Sequence, residues 1–165
     1  MNDLLAQHAD RLYRFALRLT RDRAAAEDLA QDALLRAWRG RDRLRNPNAA
    51  RAWLFQIVAN LWRDRLRRRS TTEEELIEPA AVICPAEPAR GLEERELVEQ
   101  ALAALDGLPQ RQREVLYLHA CEGLSIAEVA DALESSPDAV KASLCLARKR
   151  MRERLAHLIP ERQRT

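Results

Sequence analysis

The chain is poor in the residues that build sheets, tight turns and cross-links. Its 165 residues include 4 glycines, 3 cysteines and 4% aromatics. No stretch alternates Val, Ile or Thr with polar residues, so nothing reads as a strand and an all-α fold is expected. Cys84, Cys121 and Cys145 are odd in number and widely spaced, which excludes a disulfide framework. His119 and Cys121 lack a second pair at ligand spacing, so the cysteines read as buried or bystander thiols and no metal is expected. No run reaches the ~20 apolar residues of a membrane span. Met1-Asn2-Asp3 is not the basic-then-apolar start of a signal peptide, and a cytoplasmic protein without membrane insertion is the expectation. There is no phosphate loop, nucleophile motif or paired-carboxylate pocket, so neither a catalytic residue nor a cofactor is expected.

What the chain does have is segregated charge. The formal net charge is +2. Residues 1–69 carry 16 Arg against 8 acids, residues 70–99 carry 2 Arg against 9 Glu, and residues 100–165 are nearly balanced. A basic head, an acidic middle and a near-neutral tail imply separate partners for separate segments. With two lysines against 26 arginines, the basic surface favours forked contacts to phosphates and base edges, although a GC-rich genome produces the same bias.

Helical periodicity fills both ends. Leu5, Ala9, Leu12, Ala16 and Leu19 form the apolar stripe of a first helix. Ala26, Ala30, Ala33 and Ala37 repeat the step in a second, where small side chains let neighbouring helices approach closely. Residues 40–48, GRDRLRNPN, read as a loop. Leu54, Ile57, Val58 and Leu61 line a third helix, whose separate polar stripe is Gln56, Asn60, Arg63 and Arg67, with Trp53 on its flank. Amide, guanidinium and indole groups in a row suit unpaired DNA: Arg takes phosphate and an aromatic face stacks a base for about 1–3 kcal/mol. An amide reads the edge of an extruded base. The same stripe also fits an ordinary solvated helix face. Residues 70–91 then break the pattern with three prolines and five Glu. They read as a flexible acidic linker, at most about 75 Å when extended and about 26 Å as a relaxed coil.

Beyond residue 92 the helices resume and end in a helix-turn-helix. Ser125 with Glu128 is a capping-box pair, and Ser136-Pro137 opens the last helix with an N-cap and a first-position proline. Only Glu134, Ser135 and Ser136 separate the two helices, so they must cross sharply. Such a pair presents its second helix to a duplex major groove. Val140, Leu144, Ala147, Met151 and Leu155 form that helix's buried stripe, and Lys141, Ser143, Arg148, Lys149 and Arg152 point outward with Ser125 nearby.

Residues 26–39, AEDLAQDALLRAWR, and 52–69, AWLFQIVANLWRDRLRRR, together with LPQRQREV and LSIAEVADAL further on, resemble the extracytoplasmic-function (ECF) sigma factors, the small two-domain class of RNA polymerase specificity subunits. The resemblance implies two all-α domains, 1–69 and 92–160, joined by the acidic linker. It implies core RNA polymerase and promoter DNA as partners, and an anti-sigma factor as inhibitor. By the same resemblance Asn60 faces the pocket for a base flipped from the minus-ten element, and the loop containing Arg43, Arg45 and Asn46 cradles that base. Trp53, Gln56, Arg63 and Arg67 complete the surface. Asp28, Gln31, Asp32 and Leu35 match the stretch that docks on basic polymerase helices, although carboxylates near a helix start are also favoured by its dipole. The linker reads either as a solubilising tether or as a segment threaded toward the RNA path. A stand-alone helix-turn-helix regulator is the alternative function; the absence of a dimerising heptad seam speaks against it.

The last helix departs from the family pattern. Ala139, Ser143 and Leu146 stand where polar or cationic base contacts are usual. A good bidentate Arg–guanine pair is worth about 1–3 kcal/mol of discrimination, so base readout here is expected to be weak. In a selection from random duplexes, the segment from Leu92 onward should recover no sharp motif and should bind through Lys141, Arg148, Lys149 and Arg152 with steep salt dependence. A well-defined motif would show altered rather than weakened specificity.

Overall fold

A computed structural model describes residues 2–44, 46, 49–71 and 91–156. Every regular element among them is helical: α1 (Asn2–Thr20), α2 (Arg23–Arg39), a 3-10 turn (Arg41–Arg43), α3 (Ala50–Thr71), α4 (Leu92–Asp106), α5 (Gln110–Leu116), a π-helical turn (Tyr117–Cys121), α6 (Ile126–Ala132) and α7 (Pro137–Arg154). None of these helices is long and apolar enough to cross a membrane. The acidic stretch 72–90 and the residues from His157 onward lie outside the described ones, as does Cys84.

The N-terminal half is a three-helix unit. Arg21 turns the chain at φ 56° and Asp22 caps α2, its carboxylate accepting from the Ala25 N–H at 2.7 Å. The small stripe Ala26, Ala30, Ala33 and Ala37 is buried, with Leu29 beside it. It packs α2 closely on Leu12, Phe15, Ala16 and Leu19 of α1 and on Leu54, Phe55, Val58 and Trp62 of α3.

The C-terminal half is built around the helix-turn-helix. The helix begun at α5 widens at Tyr117–Cys121, and Gly123 at φ 67° releases the chain toward α6. Ser125 and Glu128 make the capping box in both directions, at 3.2 and 2.8 Å. Ser136 caps α7 through the Ala139 N–H, with Pro137 at its first position. Both caps follow the sequence pattern. Between α6 and α7 lies a Schellman turn: Glu134 N–H donates to Asp131 and Ser135 N–H to Ala130. Its left-handed residue is Glu134, at φ 49°, where glycine is the usual occupant.

The two halves are packed together. Phe15 meets Phe55 edge-on at 5.4 Å and stacks on Tyr117 at 5.6 Å, so one apolar cluster runs through both. Around that cluster arginines of the basic half reach acceptors of the other. Arg18, only 1% exposed, bonds Asp106 at 2.7 Å. Arg11 pairs with the buried Glu122 at 2.8 Å, and Arg51 donates to the Gly123 carbonyl at 3.4 Å. Burial pushes the Asp106 and Glu122 carboxyls above their ordinary range, against the pull of Arg18 and Arg11 respectively. A raised carboxyl contributes stability below its unfolded pKa and loses it as pH rises through the folded value. These two groups therefore favour the folded packing at mildly acidic pH.

A buried ion pair broken on one side leaves an uncompensated charge, at about 3 kcal/mol or more. Asp106→Ala should therefore lower stability by about 3 kcal/mol in urea unfolding, while Arg18→Met with Asp106→Leu should recover most of the loss. Wild-type stability in Asp106→Ala would show that the bridge does not join the halves.

Candidate nucleic-acid interface

Helix α3 carries the expected polar stripe, and its fold explains the aim. Burying Leu54, Phe55, Val58, Ala59, Leu61 and Trp62 leaves Gln56, Asn60 and Arg63 half-buried and Arg67 exposed on the opposite side. Asn60, Arg63 and Arg67 line one cleft of about 580 Å³ together with Arg36 and Asp64. Trp53 sits at the other end of the stripe, where a Cβ on Gly40 would lie 3.5 Å from its ring. This places the indole under the start of the loop. Arg41 there stacks over the Trp38 ring at 4.5 Å and bonds the Trp38 carbonyl. Asn46 lies within the described residues; Arg45, Pro47, Asn48 and the Arg43 side chain lie outside them.

The cleft also holds Glu134, which no local pattern assigns to it. The Glu134 carboxylate spans two donors, accepting from Asn60 Nδ2 at 2.8 Å and from Arg63 Nη1 at 3.0 Å. Arg63 also donates to Asn60 Oδ1. The Asn60 hydrogen bond holds the Glu134 carboxyl below its usual value. A lowered carboxyl stays ionised through the neutral range, and this contact weakens only under acid stronger than that of an ordinary carboxylate.

On α2, Asp28, Gln31 and Leu35 are exposed along one stripe that continues to Trp38, with Leu35 53% and Trp38 41% exposed. Apolar side chains left in water between carboxylates mark a contact surface more strongly than the acids alone. Asp32 is already engaged, paired with Arg65 of α3 at 2.7 Å.

The helix-turn-helix residues divide. The Ser125 hydroxyl is used by the capping box, and Lys141 pairs with Asp138 at 3.4 Å. At about 100° per residue, Lys141, Arg148 and Arg152 share one flank of α7, Lys149 faces outward, and Ser143 lies on the other flank. Arg148 and Arg152 border an apolar groove of about 480 Å³ lined by Leu102, Leu105, Leu116 and Met151. Cys121 and Cys145 are free and exposed, and His119 donates from Nδ1 to the Leu124 carbonyl at 2.8 Å. Among the described residues no cluster of His, Cys, Asp and Glu could hold a metal.

Sigma-70 region 2 matches residues 4–72 and Sigma-70 region 4 matches residues 99–151. The ECF RNA polymerase sigma factor SigL of Mycobacterium tuberculosis is 34% identical over 96% of this chain and 90% of its own length. The chain belongs to the ECF RNA polymerase sigma factors. SigE of Mycolicibacterium smegmatis, another of these sigma factors, is 34% identical over 94% of this chain, yet the chain spans 61% of SigE. The sigma factor RpoE of Bartonella quintana, solved in complex with the anti-sigma factor NepR, has the same fold at a TM-score of 0.78 and 27% identity, covering 94% of this chain and 96% of that one. In this sigma-family chain the donors of α3 and the carboxylate of the helix-turn-helix turn meet in a single cleft.

Proposed function

We propose that this chain binds core RNA polymerase in the cytoplasm and directs promoter-specific transcription initiation. The observation that carries the reading is the donor-lined cleft on α3, set in the half that matches Sigma-70 region 2 and followed by a helix-turn-helix that matches region 4. Asn60 reads an extruded minus-ten base, Arg63 and Arg67 hold the flanking phosphates, and Trp53 and Gln56 complete the strand's path. Arg43, Arg45 and Asn46 contact the same base. Asp28, Gln31 and Leu35, with Asp32 at their edge, dock on polymerase. The helix-turn-helix anchors upstream, with Lys141, Arg148, Lys149 and Arg152 on phosphates and Ser125 and Ser143 at the groove, contacts that position more than they specify. An anti-sigma factor is the inhibiting partner, supported by the fold shared with RpoE in its NepR complex.

Asn60→Ala should leave polymerase binding intact and lower promoter opening about tenfold or more, since a lost base-edge contact is worth about 1–3 kcal/mol. Transcription at wild-type rates on both duplex and pre-melted templates would overturn the assignment. For the docking surface, Asp28→Arg with Leu35→Arg spares the Asp32–Arg65 pair. It should weaken co-elution with core polymerase by more than about tenfold while leaving the thermal melt unchanged. Retained co-elution by the folded variant would put the docking surface elsewhere.

A further inference from the structure

The Arg18–Asp106 bridge does not balance the charge gathered around it. Arg21 lies one turn on from Arg18, just past the end of α1, and Arg113 of α5 approaches from the other side. Arg18 Nη1 bridges the Asp106 carboxylate at 2.7 Å. Arg113 reaches the Asp106 backbone carbonyl at 2.8 Å instead, and Arg21 makes no ion pair among the described residues. Three guanidinium groups thus face one carboxylate. The neighbouring acids are taken. Glu114, beside Arg113, is held by Gln110 at 2.8 Å and by Arg111 at 3.6 Å, and Asp22, next to Arg21, caps α2.

We propose that this cluster is a binding site for inorganic phosphate in its hydrogen phosphate form, whose oxygens accept from Arg21 and Arg113 and whose hydroxyl donates to Asp106.

The polar atoms left over are of the right kinds. Arg21 Nε, Arg113 Nε and Asp106 Oδ1 are all buried, and none has a hydrogen-bond partner. The first two are donors, and the third, on an ionised carboxylate, only accepts. A buried polar group without a partner is costly, and one small ligand offering acceptors and a donor serves all three. Sulfate supplies acceptors alone at neutral pH, whereas hydrogen phosphate also carries a P–OH. Asp106 is then the selector, because its carboxylate repels an anion that has no proton to share.

Helix geometry explains part of the cluster and leaves Arg21 over. Arg113 and Arg154 bind the Asp106 and Gly107 carbonyls at 2.8 and 2.9 Å, where the end of α4 attracts positive charge in any case. Arg21 touches no such carbonyl with its side chain. It holds a left-handed φ of 56°, which strains an arginine, and its charge bears on both Asp106 and Arg113. Burial and then Arg21 push the Arg113 guanidinium below its ordinary value, as befits a cation short of counter-charge. The Asp106 side chain is 18% exposed and Arg21 is half-buried, so the site opens to water. An ion held there joins the ends of α1 and α4 to α5, and its binding adds to the stability of the chain.

Isothermal titration calorimetry of the full-length chain tests the site, with sodium phosphate against sodium sulfate at equal ionic strength and about pH 7.5. Phosphate should bind about tenfold or more tightly than sulfate, the discrimination that one charge-assisted hydrogen bond supplies. Equal affinities, or no binding of phosphate, would overturn the proposal. Arg21→Gly removes the guanidinium and relieves the left-handed backbone, so the fold is kept; it should lower phosphate affinity about tenfold. Arg14→Gln changes the net charge equally at an exposed arginine paired with Asp10, and should leave phosphate affinity as it is. Wild-type affinity in Arg21→Gly, or an equal loss in both variants, would show general attraction of anions rather than a site. Adenosine 5′-monophosphate separates free phosphate from an organic source. A monoester, with its second pKa about 6, has shed its P–OH at this pH and should bind no more tightly than sulfate. A monoester that binds more tightly than inorganic phosphate would contradict the role given to the shared proton.

Discussion

Arg18 lies 1% exposed between the two halves, and its charge is tolerable there because Asp106 sits 2.7 Å away. Arg113 donates to the Asp106 carbonyl at 2.8 Å, so the end of α4 is held from both sides. Phe15 stacks on Tyr117 in the same layer. Once α4 and α5 are fixed on α1, the short connections leave α6 little freedom, and its C-terminal turn falls on α3. The contact between Glu134 and Asn60 is therefore a consequence of packing centred elsewhere.

The charge segregation takes on a second meaning in this arrangement. The arginines that make residues 1–69 basic suit a phosphate backbone, and four of them, Arg11, Arg18, Arg51 and Arg63, here face carboxylates or a carbonyl of the other half. A guanidinium fork serves either client with similar geometry. Leu35 and Trp38 of α2 stay exposed when the halves are packed together.

Local structure was readable from the sequence wherever a short pattern determines it. The Ser125–Glu128 box, the Ser136-Pro137 start and the alanine stripe of α2 each depend on residues within a turn or two of one another. The polar stripe of α3 followed from periodicity alone, because burying one face of a helix leaves the opposite one out. What could not be read were relations between distant residues. Arg18 looks like an ordinary arginine near the end of an amphipathic helix, and nothing local says that Asp106, 88 positions on, will bury it. Glu134 reads as one more polar residue in a turn; its partner lies 74 positions earlier. Asp32 reads as a free surface acid until α3 brings Arg65 alongside. The widening at Tyr117–Cys121 escapes periodicity because one extra residue in a turn leaves an apolar pattern nearly unchanged.

The two halves form one packed body, in which the polar stripe of α3 meets the turn of the helix-turn-helix. Small-angle X-ray scattering of the isolated full-length chain tests this most directly. A compact body of 165 residues has a radius of gyration of about 15 Å and a pair-distance distribution with one maximum. A value near this is expected for the packed chain. A distribution with two maxima and a clearly larger radius, as two separate bodies on a tether would give, would contradict it.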